Sequence, residues 1–283
     1  MTCGQALRSA AASLRASSPT PALDARLLLG NVTGRDAAWL LAHGDEPLEE
    51  ARQTAFLASV ARRVSGEPVA YLVGRAGFFG REFIVTPDVL IGRPETEHLI
   101  EAVLADITTR HGTPLRVADI GTGSGIIALT LAAELSHIEV FATDASQAAL
   151  DVAQRNVDAL GIAGRVRLLA GDLAAPLAPF APFACVAANL PYVRSAEVPA
   201  APHPVSFEPR LAIDGGPDGL VLYRRLMEQL PPLLAADASL FFEAAPDTIE
   251  ALSALVEQAF PHAHVEVGED YAGFERYVAA TLS

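Results

Sequence analysis

The fold of this chain is indicated most directly by Val117-Ala118-Asp119-Ile120-Gly121-Thr122-Gly123-Ser124-Gly125. Its first four residues are mostly apolar and predict a buried strand, and the glycines after them predict a tight turn into a helix. A strand, a glycine-rich turn and a helix are the opening elements of a doubly wound α/β domain. The stretch therefore predicts an open, mostly parallel sheet with a ligand site at the turn.

The residues that follow support this prediction, because strand and helix patterns alternate from about residue 114 onward. Two late strands, at 265–267 and 274–278, are expected to form an antiparallel edge. The other predicted strands are 117–120, 139–143, 166–170, 183–188 and 239–243, and the predicted helices are 125–134, 147–160, 219–234 and 247–260.

The N-terminal part has a different character. Residues 1–66 are rich in Ala and Leu and are divided by short Gly, Ser and Pro breaks, which predicts a small helical domain. Residues 67–92 contain two short aromatic and β-branched runs, Tyr71–Gly74 and Phe78–Val85, and predict a β-hairpin linker. Residues 93–283 are then the catalytic domain.

Composition bounds the class of protein. The chain has 283 residues, 51% of them hydrophobic, which suits one large domain with a smaller one. No apolar run reaches the ~18 residues that span a bilayer, and the first residues lack the layout of a secretion signal. Cys3 and Cys185 are the only cysteines, so neither a disulfide framework nor a metal site is predicted. We expect a cytoplasmic protein without membrane attachment.

The net charge of −14 lies entirely in the second part of the chain. Residues 1–90 contain nine Arg and nine acidic residues, whereas residues 91–283 contain eleven Arg and 25 acidic residues. A nucleic-acid groove takes most of its affinity from cationic contacts to phosphate. The charge distribution therefore argues against a nucleic-acid partner.

The glycine turn favours one cofactor over another. Its spacing is G-x-G-x-G, and Ile126 stands where a dinucleotide fingerprint has its third glycine. Asp119 precedes the glycines, and its carboxylate would repel a pyrophosphate but attract a cofactor that carries an ammonium and a sulfonium group. The turn therefore favours S-adenosylmethionine over NAD.

Acidic residues at the next two strand ends fit the same cofactor. Asp144 is placed to hold ribose hydroxyls. Asp172 can accept a hydrogen bond from the adenine amino group, and Leu173 can pack on the ring. The predicted cofactor-binding residues are Asp119, Gly121, Thr122, Gly123, Ser124, Gly125, Asp144, Asp172, Leu173 and Asn189.

The predicted catalytic residues are Asn189, Leu190, Pro191 and Tyr192, directly after the apolar run 183–188. Ligands bind at the carboxyl ends of strands in such sheets. The Asn189 side chain and the Leu190 carbonyl are hydrogen-bond acceptors, Pro191 stiffens the turn and Tyr192 offers a flat face. This combination suits an amino group on an sp² carbon, as in a carboxamide or a nucleobase.

Flanking motifs extend the pattern over nearly the whole chain: Asp24–Leu29, Gly66–Gly74, Arg93-Pro94-Glu95-Thr96-Glu97 and Glu208–Gly216. With these motifs the chain resembles the glutamine-N5 methyltransferases of peptide-chain release factors (HemK/PrmC). The family usually has Asn-Pro-Pro-Tyr at the acceptor turn. Here Leu190 replaces the first Pro, and the peptide carbonyl is retained.

The resemblance implies a class I methyltransferase fold and methyl transfer from S-adenosylmethionine to N5 of a glutamine. The implied substrate is the Gly-Gly-Gln loop of a release factor, recognised by the helical domain 1–66, and a monomer is expected. Two alternatives stay open. Asn-Leu-Pro-Tyr is also the usual form in adenine-N6 methyltransferases of ribosomal RNA. A catalytically idle cofactor-binding scaffold is a further possibility, against which the intact acceptor turn argues.

Overall fold

Two units make up the computed structural model, which describes residues 1–110 and 115–282. The first unit is Met1–Arg75 with Pro199–Phe207, and the second is Ala76–Val198 with Glu208–Ser283. The predicted domain limits at residues 66 and 92 stay predictions.

Helices build the first unit: α1 Cys3–Ser13, α2 Pro21–Thr33, α3 Ala37–Ala42, α4 Glu50–Val64 and α5 Val69–Val73. Helix α1 begins with a capping box between Thr2 and Gln5, which satisfies backbone N–H groups at the helix start. The apolar faces of the helices share a core, and a buried ion pair joins Arg63 of α4 to Asp24 of α2 at 2.7 Å.

The sequence prediction is wrong at Tyr71–Gly74, which was expected to be a strand. These residues belong to α5 and its C-cap. Pro68 precedes the helix, and Gly74 closes it in the left-handed conformation at φ 75°. Tyr71 is buried, and packing of the short helix against the first unit's core outweighs the β propensity of its residues.

A β-hairpin follows, as predicted, but its strands differ from the expected ones. Strand β1 is Arg75–Phe78 and β2 is Arg81–Ile84, so the run predicted as one strand is split by a turn. At that turn Phe79 and Gly80 both have positive φ. Phe78 and Phe83 turn inward and join the core of the second unit.

A mostly parallel seven-stranded sheet forms the second unit within residues 1–110 and 115–282, and confirms the predicted fold class. Its strands are β3 Leu115–Ile120, β4 Ile138–Asp144, β5 Val166–Ala170, β6 Phe183–Ala188, β7 Leu234–Glu243, β8 His264–Glu269 and β9 Glu275–Thr281. The helices beside them are α6 Glu95–Thr109, α7 Ile126–Glu134, α8 Gln147–Leu160, α9 Val221–Gln229 and α10 Ile249–Ala259.

The strand order, β5-β4-β3-β6-β7-β9-β8, places the ligand crevice. The chain runs outward from β3 to β5 and then returns to β6 on the other side of β3. The order reverses there, and the final residues of β3 and β6, Ile120 and Ala188, lie side by side. The turn after β3 therefore lies next to the turn after β6, at the position where doubly wound sheets bind ligands.

The end of the chain follows the prediction with one correction. Strand β9 pairs antiparallel with both β7 and β8, which confirms the antiparallel edge. The helix predicted over 219–234 is shorter, because α9 ends at Gln229 and β7 already begins at Leu234. Pro231 and Pro232 lie between them, and prolines cannot continue the hydrogen-bonding pattern of a helix.

None of the described helices is both long enough and apolar enough to cross a bilayer. Across residues 1–110 and 115–282, no cluster of three or more His, Cys, Asp or Glu side chains could hold a metal ion.

Candidate active site

A cavity lies at the carboxyl edge of the sheet, over the ends of β3, β4, β5 and β6. It brings together most of the residues predicted from the sequence: Gly121, Thr122, Gly123, Ser124, Asp144, Asp172, Leu173, Asn189, Leu190 and Pro191. Asp119, Gly125 and Tyr192 do not line it.

The glycine turn after β3 forms the floor of the cavity. Gly121 and Gly123 both have positive φ, at 75° and 56°, a conformation that side chains disfavour. Gly125 caps the start of α7 with φ 88°, and a Cβ there would lie 2.9 Å from Leu129. Gly125 thus shapes the turn from below, without reaching the cavity.

Asp119 lies beneath the turn and does not line the cavity, so its direct contact with the cofactor stays a prediction. Its side chain is fully buried, and Oδ2 accepts hydrogen bonds from the Thr122 hydroxyl at 2.6 Å and the Ala128 amide at 3.1 Å. Burial raises the pKa of Asp119 to about 7, against the opposing effect of these two donors. Asp119 fixes the turn that faces the ligand.

Asp144, at the end of β4, lines the cavity and is held by backbone amides. Oδ2 accepts from Gly123 N at 2.8 Å and Oδ1 from Ser146 N at 2.8 Å. Burial raises its pKa, and the amide donors oppose that effect. Each carboxylate oxygen can accept a further hydrogen bond, so Asp144 can take hydroxyl groups of a ribose in this fixed orientation.

At the end of β5, Leu173 is buried and Asp172 is exposed. Leu173 has a positive φ of 49°, which is unusual for a non-glycine residue and turns its backbone away from the strand direction. Asp172 Oδ2 accepts a hydrogen bond from Arg225 at 2.5 Å. Arg225 also lines the cavity, although no sequence motif indicated it.

Unpaired polar atoms beside the turn test whether the residues fit S-adenosylmethionine. Ser124 Oγ, Thr143 Oγ1 and Asp119 Oδ1 are buried and have no hydrogen-bond partner in the protein. Ser124 and Thr143 line the cavity, and buried polar atoms of this kind normally have partners. The Ser124 and Thr143 hydroxyls can donate to a ligand carboxylate and accept from its ammonium or hydroxyl groups, so these residues fit the cofactor.

The acceptor turn after β6 closes the other side of the cavity. Asn189, Leu190 and Pro191 line it, and Leu190 is almost fully buried. The Asn189 amide donates to Thr96 Oγ1 at 3.1 Å. Tyr192 is directed elsewhere, because its hydroxyl donates to Glu243 Oε1 at 3.3 Å.

Three buried side chains support the acceptor turn, and we did not single them out as site residues from the sequence. Thr96 begins α6, Glu243 ends β7 and Tyr223 lies on α9. The Tyr223 hydroxyl accepts from Leu190 N at 3.2 Å and donates to the Glu243 carbonyl. Burial raises the pKa of Glu243 to about 7. Thr96 belongs to the Arg-Pro-Glu-Thr-Glu motif quoted above, and this motif was the signal that could have identified it as a site residue.

The rest of the wall comes from segments without a ligand motif. A short stretch after the hairpin contributes one side, and the segment before and within α9 contributes the other. These residues are Asp88, Val89, Leu90, Pro209, Leu211, Ala212, Leu222 and Arg225.

A sheet of this strand order, with a glycine turn after its first strand and an Asn-Leu-Pro-Tyr turn after its fourth, defines a class I S-adenosylmethionine-dependent methyltransferase. Comparison with known proteins agrees. Residues 117–203 match a family model described as a methyltransferase domain, and residues 5–74 match the PrmC N-terminal domain.

Whole-length relatives specify the family. The chain is 43% identical over 277 residues to the release factor glutamine methyltransferase of Moorella thermoacetica, covering 98% of this chain and 97% of that protein. It is 41% identical over 256 residues to the enzyme of the same name from Bordetella pertussis, covering 90% and 93%. The chain belongs to the release factor glutamine methyltransferase family.

Among solved structures, the fold is similar to the hMettl16 catalytic domain in complex with the MAT2A 3′UTR hairpin 6. The TM-score is 0.56 and the identity 18%, with 79% of this chain and 81% of that chain covered. At this identity the likeness concerns the fold alone.

Proposed function

We propose that this protein transfers a methyl group from S-adenosylmethionine to the side-chain amide nitrogen, N5, of a glutamine in a peptide-chain release factor. The whole-length relatives carry that name, and the fold and the cavity fit the reaction. The acceptor glutamine that we propose lies in an exposed Gly-Gly-Gln loop.

The cofactor supplies an electrophilic methyl group on a sulfonium sulfur. Gly121, Thr122, Gly123 and Ser124 would hold its polar end along the turn after β3, and Asp144 its ribose. Leu173 would pack on the adenine, with Asp172 beside it. These roles rest on where the side chains line the cavity.

Asn189 and Leu190 then present the substrate nitrogen. A carboxamide nitrogen is a weak nucleophile because its lone pair is delocalised. The Asn189 side-chain oxygen and the Leu190 carbonyl can accept its two N–H groups, which orients the nitrogen and stabilises the positive charge that develops on it. Catalysis therefore rests on positioning and electrostatic stabilisation by fixed acceptors.

The observation that carries the proposal is that the acceptor turn and the glycine turn line one cavity. The ends of β3 and β6 are neighbours in the sheet, so a side chain held at Asn189 lies next to the cofactor site. Pro191 keeps the turn short and rigid. We further propose that Tyr192 bounds the turn from its buried side, where its hydroxyl contacts Glu243.

The partner is a release factor, and we propose that the enzyme works in the cytoplasm as a monomer, without nucleic acid or membrane. The excess of acidic residues in 91–283 supports a protein partner. We also propose that the helical domain 1–66 recognises the release factor, that 67–92 is the linker and that 93–283 carries the reaction. The relatives do not favour ribosomal RNA as substrate or an idle scaffold.

A methyl-transfer assay tests this function. Purified protein with tritiated S-adenosylmethionine should label a release factor and should not label its variant with the loop Gln replaced by Ala. Mass mapping should place the methyl group on the glutamine side chain, and labelling should change little with salt. Label on adenine N6 of ribosomal RNA, with a steep salt dependence, would contradict the proposal.

A further inference from the structure

A run of buried polar side chains, Thr96 and Glu243, lies behind Asn189 and does not line the cavity. Thr96 is fully buried, and Glu243 is 1% exposed. They come from α6 and β7, far from Asn189 in the sequence, and meet it at the end of β6. Burying such polar groups costs free energy unless hydrogen bonds compensate for the lost contact with water.

The hydrogen bonds of this run have a defined direction. Asn189 Nδ2 donates to Thr96 Oγ1 at 3.1 Å. The Thr96 hydroxyl and the Asn189 amide both lower the pKa of the neighbouring Glu243 carboxyl as donors, and Glu243 Oε2 is buried without a hydrogen-bond partner of its own among the described residues. An ionised carboxylate can only accept, so the unpartnered Glu243 oxygen attracts the Thr96 hydroxyl hydrogen and leaves the Thr96 oxygen to accept from Asn189.

This direction decides which end of the Asn189 amide faces the cavity. The amide nitrogen donates to Thr96, so the oxygen is left for the substrate. The two ends of an amide are nearly identical in shape, and only their hydrogen-bond partners distinguish them. Without this run, either end could be presented, and a nitrogen in that place would meet the substrate N–H donor to donor.

We infer that Thr96 and Glu243 are positioning residues that hold Asn189 with its side-chain oxygen toward the substrate nitrogen. The inference rests on the proposed function for the identity of the substrate, but the orientation of Asn189 is a property of this chain. Tyr192 donates to Glu243 Oε1 at 3.3 Å and keeps the carboxyl in place.

Ionisation of Glu243 should therefore affect turnover. Burial and the nearby charge of Glu95 raise the pKa of Glu243 to about 7, against its donors Thr96, Tyr192 and Asn189. A protonated Glu243 can donate to Thr96. The Thr96 hydroxyl could then donate to Asn189 instead of accepting from it, and the orientation of the Asn189 amide would no longer be fixed. The titratable and charged groups around it are Glu95 of α6, Tyr192 after β6, Tyr223 of α9, and Arg276 and Tyr277 of β9.

Paired substitutions at Thr96 test the inference. Thr96→Val keeps the shape and removes the hydroxyl, whereas Thr96→Ser keeps the hydroxyl. We expect kcat for release-factor methylation to fall by about 10- to 100-fold in Thr96→Val, the scale of a misplaced reacting group, and to stay within about threefold in Thr96→Ser. Affinity for S-adenosylmethionine should change by less than about twofold in both. Thr130→Val, at a fully buried threonine of α7 whose hydroxyl has no partner, is the matched control.

Glu243→Gln gives a second variant in case Thr96→Val does not fold. The glutamine side chain keeps the shape of Glu243, but its amide can donate to Thr96, so kcat should fall. The wild-type kcat should rise with pH through about 7, the pKa of Glu243, and this rise should be absent in Glu243→Gln. A wild-type-like kcat in both variants, or equal losses in Thr96→Val and Thr96→Ser, would overturn the inference.

Nuclear magnetic resonance gives a readout that needs no substrate. The chain has only three asparagines, Asn31, Asn156 and Asn189, so ¹⁵N-asparagine labelling yields few side-chain amide signals. In Thr96→Val the signals of the Asn189 amide protons should shift, and these protons should exchange faster with water. The signals of Asn156, which is hydrogen-bonded to Ser124 and Ile84, should not change. Unchanged Asn189 signals would contradict the inference, whereas failure of the wild type to label a release factor would contradict only the proposed function.

Discussion

The turns after β3 and β6 lie side by side but are built in different ways. After β3, backbone amides do most of the holding: Gly123 N donates to Asp144 and Ala128 N to Asp119, and the glycines admit close approach. After β6, side chains do the holding: the Asn189 amide donates to the hydroxyl of Thr96, which lies 93 residues away in the sequence. The first turn therefore offers fixed shape, and the second offers a direction that side-chain chemistry can change.

The difference predicts separate consequences for binding and turnover. Damage to the turn after β3 should weaken affinity for the cofactor. Damage to the turn after β6 should slow the reaction and leave the cofactor bound, since we propose that Asn189 holds the substrate nitrogen. Three substitutions test this separation and a fourth tests the ionisation of Glu243 behind the second turn, beginning with the largest expected effect.

Asn189→Ala should cut kcat by about 10²–10³, the scale for losing one fixed electrostatic partner of the reacting group. Affinity for S-adenosylmethionine should stay within several-fold of the wild type, because the glycine turn and Asp144 are intact. Single-turnover kinetics and calorimetry measure the two quantities. If turnover survives, Asn189 is only structural, and the distinction between the two turns fails.

Glu243→Gln should flatten the pH dependence of stability. The folded-state pKa of Glu243, about 7, lies above its ordinary value of 4.5. Its contribution to stability is therefore fully present below pH 4.5 and is lost as pH rises through 7. Between pH 5 and pH 8 the wild type should lose about 2 kcal/mol from this group.

Urea unfolding at pH 5 and pH 8 measures the effect. Between these two values the free energy of unfolding should fall less in the variant than in the wild type, by the contribution of Glu243. Asp119 also has a raised pKa from burial, so a smaller slope should remain in Glu243→Gln. An identical slope in both proteins would show that Glu243 is ionised in the fold across this range.

Sequence patterns predicted the turn after β3 better than the turn after β6. Glycine spacing, Asp119 and Asp144 are local, and a motif within about 30 residues describes them. Even so, the pattern placed Asp119 beside the cofactor, whereas the structure buries it below the turn. A motif gives the residue type and its place in the chain, but the direction of a side chain depends on tertiary packing.

The support for Asn189 was beyond local reasoning. Thr96, Glu243 and Tyr223 meet at the acceptor turn only because β6, β7, α6 and α9 are neighbours in the folded sheet. The same limit explains the error at Tyr71, where an aromatic and β-branched run suggested a strand. Packing against the helical unit makes it a helix instead.

Asp144→Ala should weaken S-adenosylmethionine binding by roughly 1–3 kcal/mol, the range for removing a polar partner and leaving buried donors unpaired. It removes a ribose partner and frees the amides of Gly123 and Ser146. At saturating cofactor, kcat should stay near the wild type. Asp151→Ala, at an exposed acid on α8, is the matched control for calorimetry. Unchanged affinity would remove Asp144 from the cofactor site.

Arg225→Ala should have the smallest effect. Arg225 binds Asp172 at 2.5 Å, but the two side chains are 47% and 54% exposed, and such pairs contribute about 0–1 kcal/mol. If Asp172 accepts from the adenine amino group, releasing it from Arg225 should leave cofactor affinity within about fivefold of the wild type, the range that this energy allows.

Arg224→Ala is the matched control, because Arg224 lies next to Arg225 on α9 and pairs with Asp218 away from the cavity. A loss of affinity above about tenfold in Arg225→Ala alone, more than an exposed pair can explain, would mean that the guanidinium itself contacts the cofactor. The cofactor side of the cavity would then depend on a side chain from a distant helix, as the acceptor turn does, and the contrast between the two turns would be weaker than the backbone contacts of Asp144 suggest.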